Sequence, residues 1–264
     1  ARIAAVGLEQ AIWVSLAEGL GFSENRQPFA SLARAVPIGK LLSVDDPTAR
    51  TAILYGTAGL LPDPTRSKVT ARALPQVREL WNLWWKQREP WTPSNLPIDV
   101  WRWSCTRPNN SPYRRLAALS FLSEQMIWRN LVESVRHGCA DLFLKTLQSA
   151  CDPFWNYHAN WEGRVLSSSS RLIGADRATA LLFQVLAPLA DLPETELGAR
   201  MENWPMGGDA GLFRSASMRL LGVPFPPPDV RTHLAREGLL QIYKDFCRAK
   251  PCTDCSMPQF LKHR

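Results

Sequence analysis

"LPQVRELWNLWWKQREPW", residues 74–91, is the stretch that decides the fold class. Leu74, Val77, Leu80, Trp81 and Trp84 recur at i, i+3, i+6, i+7 and i+10, the spacing of a helix face rather than the alternation of a strand. Pro90 and Pro93 stop the helix, since proline donates no N–H and its ring crowds the preceding turn. Working outward, the same periodicity returns. "LEQAIWVSLAEGL" (8–20) sets Leu8, Ile12, Leu16 and Leu20 on one stripe, closed by Gly19 and Gly21. "FASLARAVPIGKLL" (29–42) is a second short helix interrupted at Pro37. "DDPTARTAILYGTAGLL" (45–61) opens with acidic residues and Pro47, which are helix-start signals. "SPYRRLAALSFLSEQ" (111–125) places Ser111 as N-cap and Pro112 in the first turn. Further helices are expected around "LVESVRHGCADLFLKTLQSA" (131–150), "GADRATALLFQVLAPLADL" (174–192), "DAGLFRSASMRLLG" (209–222) and "DVRTHLAREGLLQIYKDFC" (229–247). "DVWRW" (99–103) reads as either a short strand or a packed loop. The expectation is a mainly α, multi-helix globular domain with little or no sheet. It covers 1–222, with a subdivision near 90–100. A proline-rich connector follows at 223–228, and a C-terminal helix with a cysteine knuckle at 229–264.

With 45% hydrophobic and 21% charged residues, the 264-residue chain can bury a core and has no disordered composition. Its longest apolar runs, "TAILYGTAGLL" and "ALLFQVLAPLA", are too short to span a bilayer, and no signal peptide is expected at the start. Six cysteines are too sparse for a disulfide scaffold, which points to a reducing cytoplasm. The net charge of +7 permits DNA or RNA as a partner. Arginine also suits buried ion pairs and stacking on tryptophan, of which there are 11.

Three groups of residues carry chemistry. In "CTRPNNSPYRRLAAL" (105–119), Arg107, Arg114 and Arg115 flank a turn and a helix start, where guanidinium forks and backbone N–H groups suit a nucleic-acid phosphate. The alternative is that Asn109, Asn110 and Ser111 make the turn while the arginines pair with carboxylates. Trp81, Trp84, Trp85, Trp91, Trp101 and Trp103 are either core or a stacking platform for single strands. In "DFCRAKPCTDCSMP" (245–258), Cys247, Cys252 and Cys255 have the C-x4-C-x2-C spacing of a metal knuckle. Zinc is the expected ion, with an iron–sulfur cluster or no metal as alternatives. A fourth ligand would come from His263, Cys139 or His233. No G-x-S-x-G, phosphate-binding glycine loop or H-E-x-x-H occurs, so the chain alone does not read as an enzyme. His158, within "FWNYHANW", reads as a hydrogen-bonded structural residue.

Six stretches in order are "EGLGFSENRQPFASLA" (18–33), "LYGTAGLLP" (54–62), "WSCTRPNNSPYRRLAAL" (103–119), "FWNYHANW" (154–161), "IGADRATALLFQVLAP" (173–188) and "GLLQIYKDFCRAKPCTDC" (238–255). Together they resemble the bacterial family catalogued as domain of unknown function 2851. Gln184 stands where that family often has Asn, and Glu237 where Gln is usual. The resemblance implies that this chain corresponds to the helical C-terminal part of longer members. Their preceding half looks like restriction-type nucleases, and its Gly-Pro-Asp-Phe and Val-Glu-Ile-His-like motifs do not occur here. A nuclease-like half or partner chain is thus the implied companion.

Overall fold

The computed structural model describes residues 2–22, 24–66, 68–103, 110–190, 196–205, 211–222 and 230–247. The chain divides into two compact units, Ala1–Asp191 and Leu192–Arg264. The first holds α1 (Arg2–Val6), α2 (Leu8–Leu20), α3 (Arg26–Ala35), α4 (Ile38–Leu42), α5 (Pro47–Thr57), α6 (Leu74–Gln87), α7 (Pro112–Leu122), α8 (Gln125–Arg136), α9 (Ala140–Gln148) and α10 (Ala175–Leu181). Helix α10 runs on through a π-helical turn, Leu182–Leu186, into α11 (Ala187–Leu189). Among the described residues there is no sheet; the sole pairing is an isolated bridge, Pro205 to Thr232. The mainly helical expectation holds, and no helix of the described residues is long and apolar enough to cross a membrane.

The core is built on α2. One stripe was predicted, but Ala11, Ile12, Trp13, Val14, Ser15, Leu16 and Ala17 are all buried. Helices α3, α4, α7 and α10 and the π turn pack around it. Small residues permit this: a Cβ on Gly19 would stand 2.4 Å from Leu181 Cδ2. Pro37 splits α3 from α4 as its missing donor requires, and Gln10 bridges the break. Its Nε2 donates to the Ala33 carbonyl and its Oε1 accepts from the Ile38 N–H, each at 3.0 Å. Helix α5 starts where Asp46 accepts the Thr48 N–H at 2.8 Å. Helix α6 lies against α5 at Gly56, where a Cβ would meet the Trp84 ring at 2.2 Å.

"DVWRW" is the packed loop of the two alternatives. A 3-10 turn, Ile98–Val100, leads into Trp101, whose indole N–H donates to the Ala58 carbonyl at 2.8 Å. The stretch 131–150 is two helices rather than one, because Gly138 between them has φ +61°, a conformation that favours glycine. Between α9 and α10 no regular element forms. Instead Phe154, Trp155 and Trp161 make an aromatic nest with Tyr55 and Tyr113; the Trp155 and Trp161 centroids are 4.4 Å apart.

The second unit contains α12 (Glu196–Glu202), α13 (Gly211–Leu221), α14 (His233–Ile242) and a π turn, Tyr243–Cys247. Phe213, Ala216, Val230 and Leu240 form its core. Thr232 caps α14, its Oγ1 accepting from the Ala235 N–H at 3.2 Å. The predicted connector at 223–228 lies outside the described residues.

Candidate functional site

Two of the three arginines assigned to nucleic acid, Arg114 and Arg115, are buried. Arg107 lies outside the described residues. Arg114 and Arg115, on the first turn of α7, are 0% and 5% exposed. Arg114 Nη1 donates to the Trp155 carbonyl, and Nη2 to the carbonyls of Ser170 at 2.8 Å and Arg171 at 3.2 Å. Arg115 donates to the Leu172 carbonyl and to Asn110 Oδ1 at 2.7 Å. Arg114 thus serves backbone carbonyls, and Arg115 a backbone carbonyl and the Asn110 amide oxygen, from buried positions rather than from the surface at which a phosphate was expected. The cause is local. The segment after α9 has no helix to absorb its carbonyls, and the two guanidinium forks on α7 supply the donors that buried carbonyls require. Burial lowers the pKa of both, that of Arg115 to about 9, with the Arg177 and Arg114 charges adding to the effect.

His158 is structural, as expected. It is buried, hydrogen-bonded through Nδ1 to the Phe154 carbonyl at 2.8 Å, and stacked on the Phe154 ring at 3.9 Å. Of the cysteine triad, Cys247 is buried at the end of the last π turn, while Cys252 and Cys255 lie outside the described residues, as does His263. Cys139 is exposed, and His233 is buried beside Glu237 at 3.8 Å. Among the described residues no three His, Cys, Asp or Glu side chains converge to hold a metal ion. A cavity of about 260 Å³ has Glu79, Glu124 and Asp152 in its lining. Asp152 is engaged there as a turn former, accepting the N–H groups of Phe154 at 2.8 Å and Trp155 at 2.7 Å.

The tryptophan cluster is part core and part surface. Trp84, Trp91 and Trp101 are core. Trp85 and Trp103 are 47% and 42% exposed, and Trp81 is half-buried. On α6 the division follows from helical geometry. Val77, Leu80 and Trp84 face inward, whereas Trp81 and Trp85, four residues apart, share the outer flank. Their centroids are 5.6 Å apart with planes inclined at 51°. The guanidinium carbon of Arg88 lies 3.5 Å over the Trp85 ring. Trp81, Asn82, Trp85 and Lys86 line a surface groove of about 470 Å³.

A second constellation was not foreseen. Phe22, just beyond α2, has φ +53°, the left-handed region that a bulky residue rarely adopts. Its ring carries two guanidinium groups: Arg177 of α10 with its carbon at 3.5 Å and Arg115 of α7 at 4.8 Å. Close by, the Asn25 amide exchanges two hydrogen bonds with the Arg102 backbone, at 2.9 and 2.7 Å. A cleft of about 330 Å³ on α2 is lined by Ser15, Glu18, Gly19, Arg26 and Gln184. Arg26 and Glu18 pair across it at 2.8 Å. Gln184 lies on the π turn, a device that often re-aims a side chain at a functional position. Three separate stretches, 18–33, 103–119 and 173–188, thus meet on one phenylalanine ring. Periodicity carries no signal of this, because the contact is made across helix ends.

The family model described as protein of unknown function (DUF2851) matches residues 4–201. The chain belongs to that family. The last of the six resembling stretches, 238–255, falls outside the matched residues. No curated protein and no solved structure matches the chain.

Proposed function

We propose that this member of the family is a helical nucleic-acid-binding module, accessory to the nuclease-like half that the resemblance implies. The observation that carries the reading is the outer flank of α6. There half-buried Trp81 and exposed Trp85 form a pair interleaved with Arg88 and Lys86. Unpaired bases stack on such rings whatever their identity, while the cations follow the phosphates. The net charge of +7 favours approach of a polyanion. Fluorescence anisotropy with labelled single-stranded DNA and RNA, at two salt concentrations, tests it. Binding that weakens steeply with salt and quenches tryptophan emission supports the reading. Absence of binding at low salt for single- and double-stranded forms defeats it.

A second reading, a protein-interaction domain, draws on a different observation. Val6, Gln10, Val14, Arg34 and Pro37 line a groove of about 580 Å³ at which Val6 is 51% exposed. It gains if nucleic acid fails to bind. We also keep zinc on Cys247, Cys252 and Cys255 as a proposal, its role being to tie down the end of the last helix. Elemental analysis of protein purified without chelator decides it: about one equivalent supports the site, and none removes it.

A further inference from the structure

The Arg115–Phe22–Arg177 stack contains a feature that the packing of the chain does not explain. Arg177 Nε and Nη2 are both out of contact with solvent and neither has a hydrogen-bond partner. No carboxylate of the described residues pairs with this side chain, in contrast to Arg26, which is paired with Glu18. Nε–H and Nη2–H form one edge of the guanidinium and point in parallel. That edge engages a phosphate or carboxylate side-on through two hydrogen bonds. A charged donor pair buried without acceptors is costly, and native structures avoid it unless a further group completes it.

The surroundings favour an anion. Phe22 covers the flat face of the guanidinium at 3.5 Å and so fixes the direction of the edge. The ring is held there by a backbone conformation that is itself strained for phenylalanine. The Arg115 guanidinium lies over the same ring, and the charge of Arg26 reaches Arg177. Burial, followed by the Arg26 charge, lowers the Arg177 pKa to about 10.

We propose that the Nε/Nη2 edge of Arg177 is a binding site for one phosphate group, supplied as free phosphate or as a phosphomonoester. Because the edge lies out of solvent, side chains must shift to admit the ligand, and the ligand must shed water there. A tetrahedral oxyanion that accepts two parallel hydrogen bonds is favoured over chloride. The site is independent of the α6 surface, and either can fail without the other.

The test uses the full chain, with inorganic phosphate as the probe and sodium chloride at matched ionic strength as the control. Millimolar phosphate is expected to raise the thermal midpoint of the wild type, and calorimetry should give about one site per chain. Arg177→Lys keeps the charge but loses the side-on fork, and phosphate affinity should fall by about tenfold or more. Arg177→Gln should abolish the response; if that variant does not fold by circular dichroism, Arg177→Lys carries the test alone. A short oligonucleotide with a 5′-phosphate, compared with its 5′-hydroxyl counterpart, separates the two sources. Stabilisation by the phosphorylated form alone assigns the site to a strand end; stabilisation by inorganic phosphate assigns it to the free ion. No response to any phosphate, or an equal response in the wild type and Arg177→Lys, overturns the proposal.

Discussion

Arg114 donates to the carbonyl of Trp155, and Arg88 lies over the ring of Trp85, so both regions are built from arginine and tryptophan. Their physics is nonetheless opposite. In the nest, the indoles of Trp155 and Trp161 are almost wholly buried, and the guanidinium satisfies carbonyls that no helix takes up. On α6, the exposed indole keeps about half its area in water, and a half-buried guanidinium lies over its ring. What separates the two is backing. The nest is pressed between α5 and α7 through Tyr55 and Tyr113, whereas the outer flank of α6 has no element over it among the described residues. Composition counts both regions alike.

The widest gap between them should appear in stability. Arg114→Ala strands the buried Trp155 carbonyl, unpairs the part-buried Ser170 and Arg171 carbonyls and leaves a cavity, and should cost about 3 kcal/mol. Arg88→Ala, at a half-buried side chain that lies over the Trp85 ring, should cost about 1 kcal/mol or less. Urea unfolding at constant m-value measures both. If the two variants were equally stable, Arg114 would not be holding the nest.

The two faces of α6 can be set against each other directly. Gly56→Ala brings a methyl group into the Trp84 ring at the inner face, and relief requires α5 and α6 to separate. A loss of about 1–3 kcal/mol is expected. Asn82→Ala on the outer flank removes no packed group and replaces a weaker helix former, so it should leave stability unchanged or raise it by a few tenths of a kcal/mol. A stabilising Gly56→Ala would mean that the helices are not seated as closely as the ring contact requires.

How much of this could be read from sequence depends on whether the deciding interaction is local. Helices α5 and α6 were legible because the periodic apolar residues, the Asp46 cap and the flanking prolines act within a few residues of one another. The complete burial of α2 was not, since it depends on what four other helices place around a stripe that by itself looks one-sided. Arg114 and Arg115 were identified as a pair with a task, but their burial against backbone carbonyls was not foreseen. Their backbone acceptors are carbonyls 41 to 57 residues away, and a backbone carbonyl carries no sequence signature. Phe22 was invisible for the same reason, because both of its guanidinium partners come from other helices.

In binding, the order of the two regions reverses. Trp81→Ala and Trp85→Ala should each weaken single-strand affinity by about 1–3 kcal/mol if a base stacks on the ring. Their unfolding midpoints should remain close to wild type, more so for Trp85 than for half-buried Trp81. Trp155→Ala should do the converse, lowering stability by about 3–5 kcal/mol. A Trp85→Ala variant that binds as the wild type does would leave the α6 surface without a role in recognition.

The smallest expected effect discriminates best, because it separates a phosphate contact from a packing contact. Arg88 has two possible tasks over Trp85: holding the ring in place or meeting a phosphate beside it. Each phosphate contact releases condensed counter-ions, so its loss changes the slope of log K against log salt as well as the affinity. For single strands Arg88→Gln should make that slope shallower by about 0.7, with binding weakened at low salt and nearly unchanged at high salt. If Arg88 only orients the ring, the variant should lose the same factor of affinity at every salt concentration and keep the wild-type slope. Titrating Arg88→Gln and Trp85→Ala in parallel gives the contrast its own control. The tryptophan variant removes stacking but no charge, so its line should run parallel to the wild type while that of Arg88→Gln converges on it as salt rises.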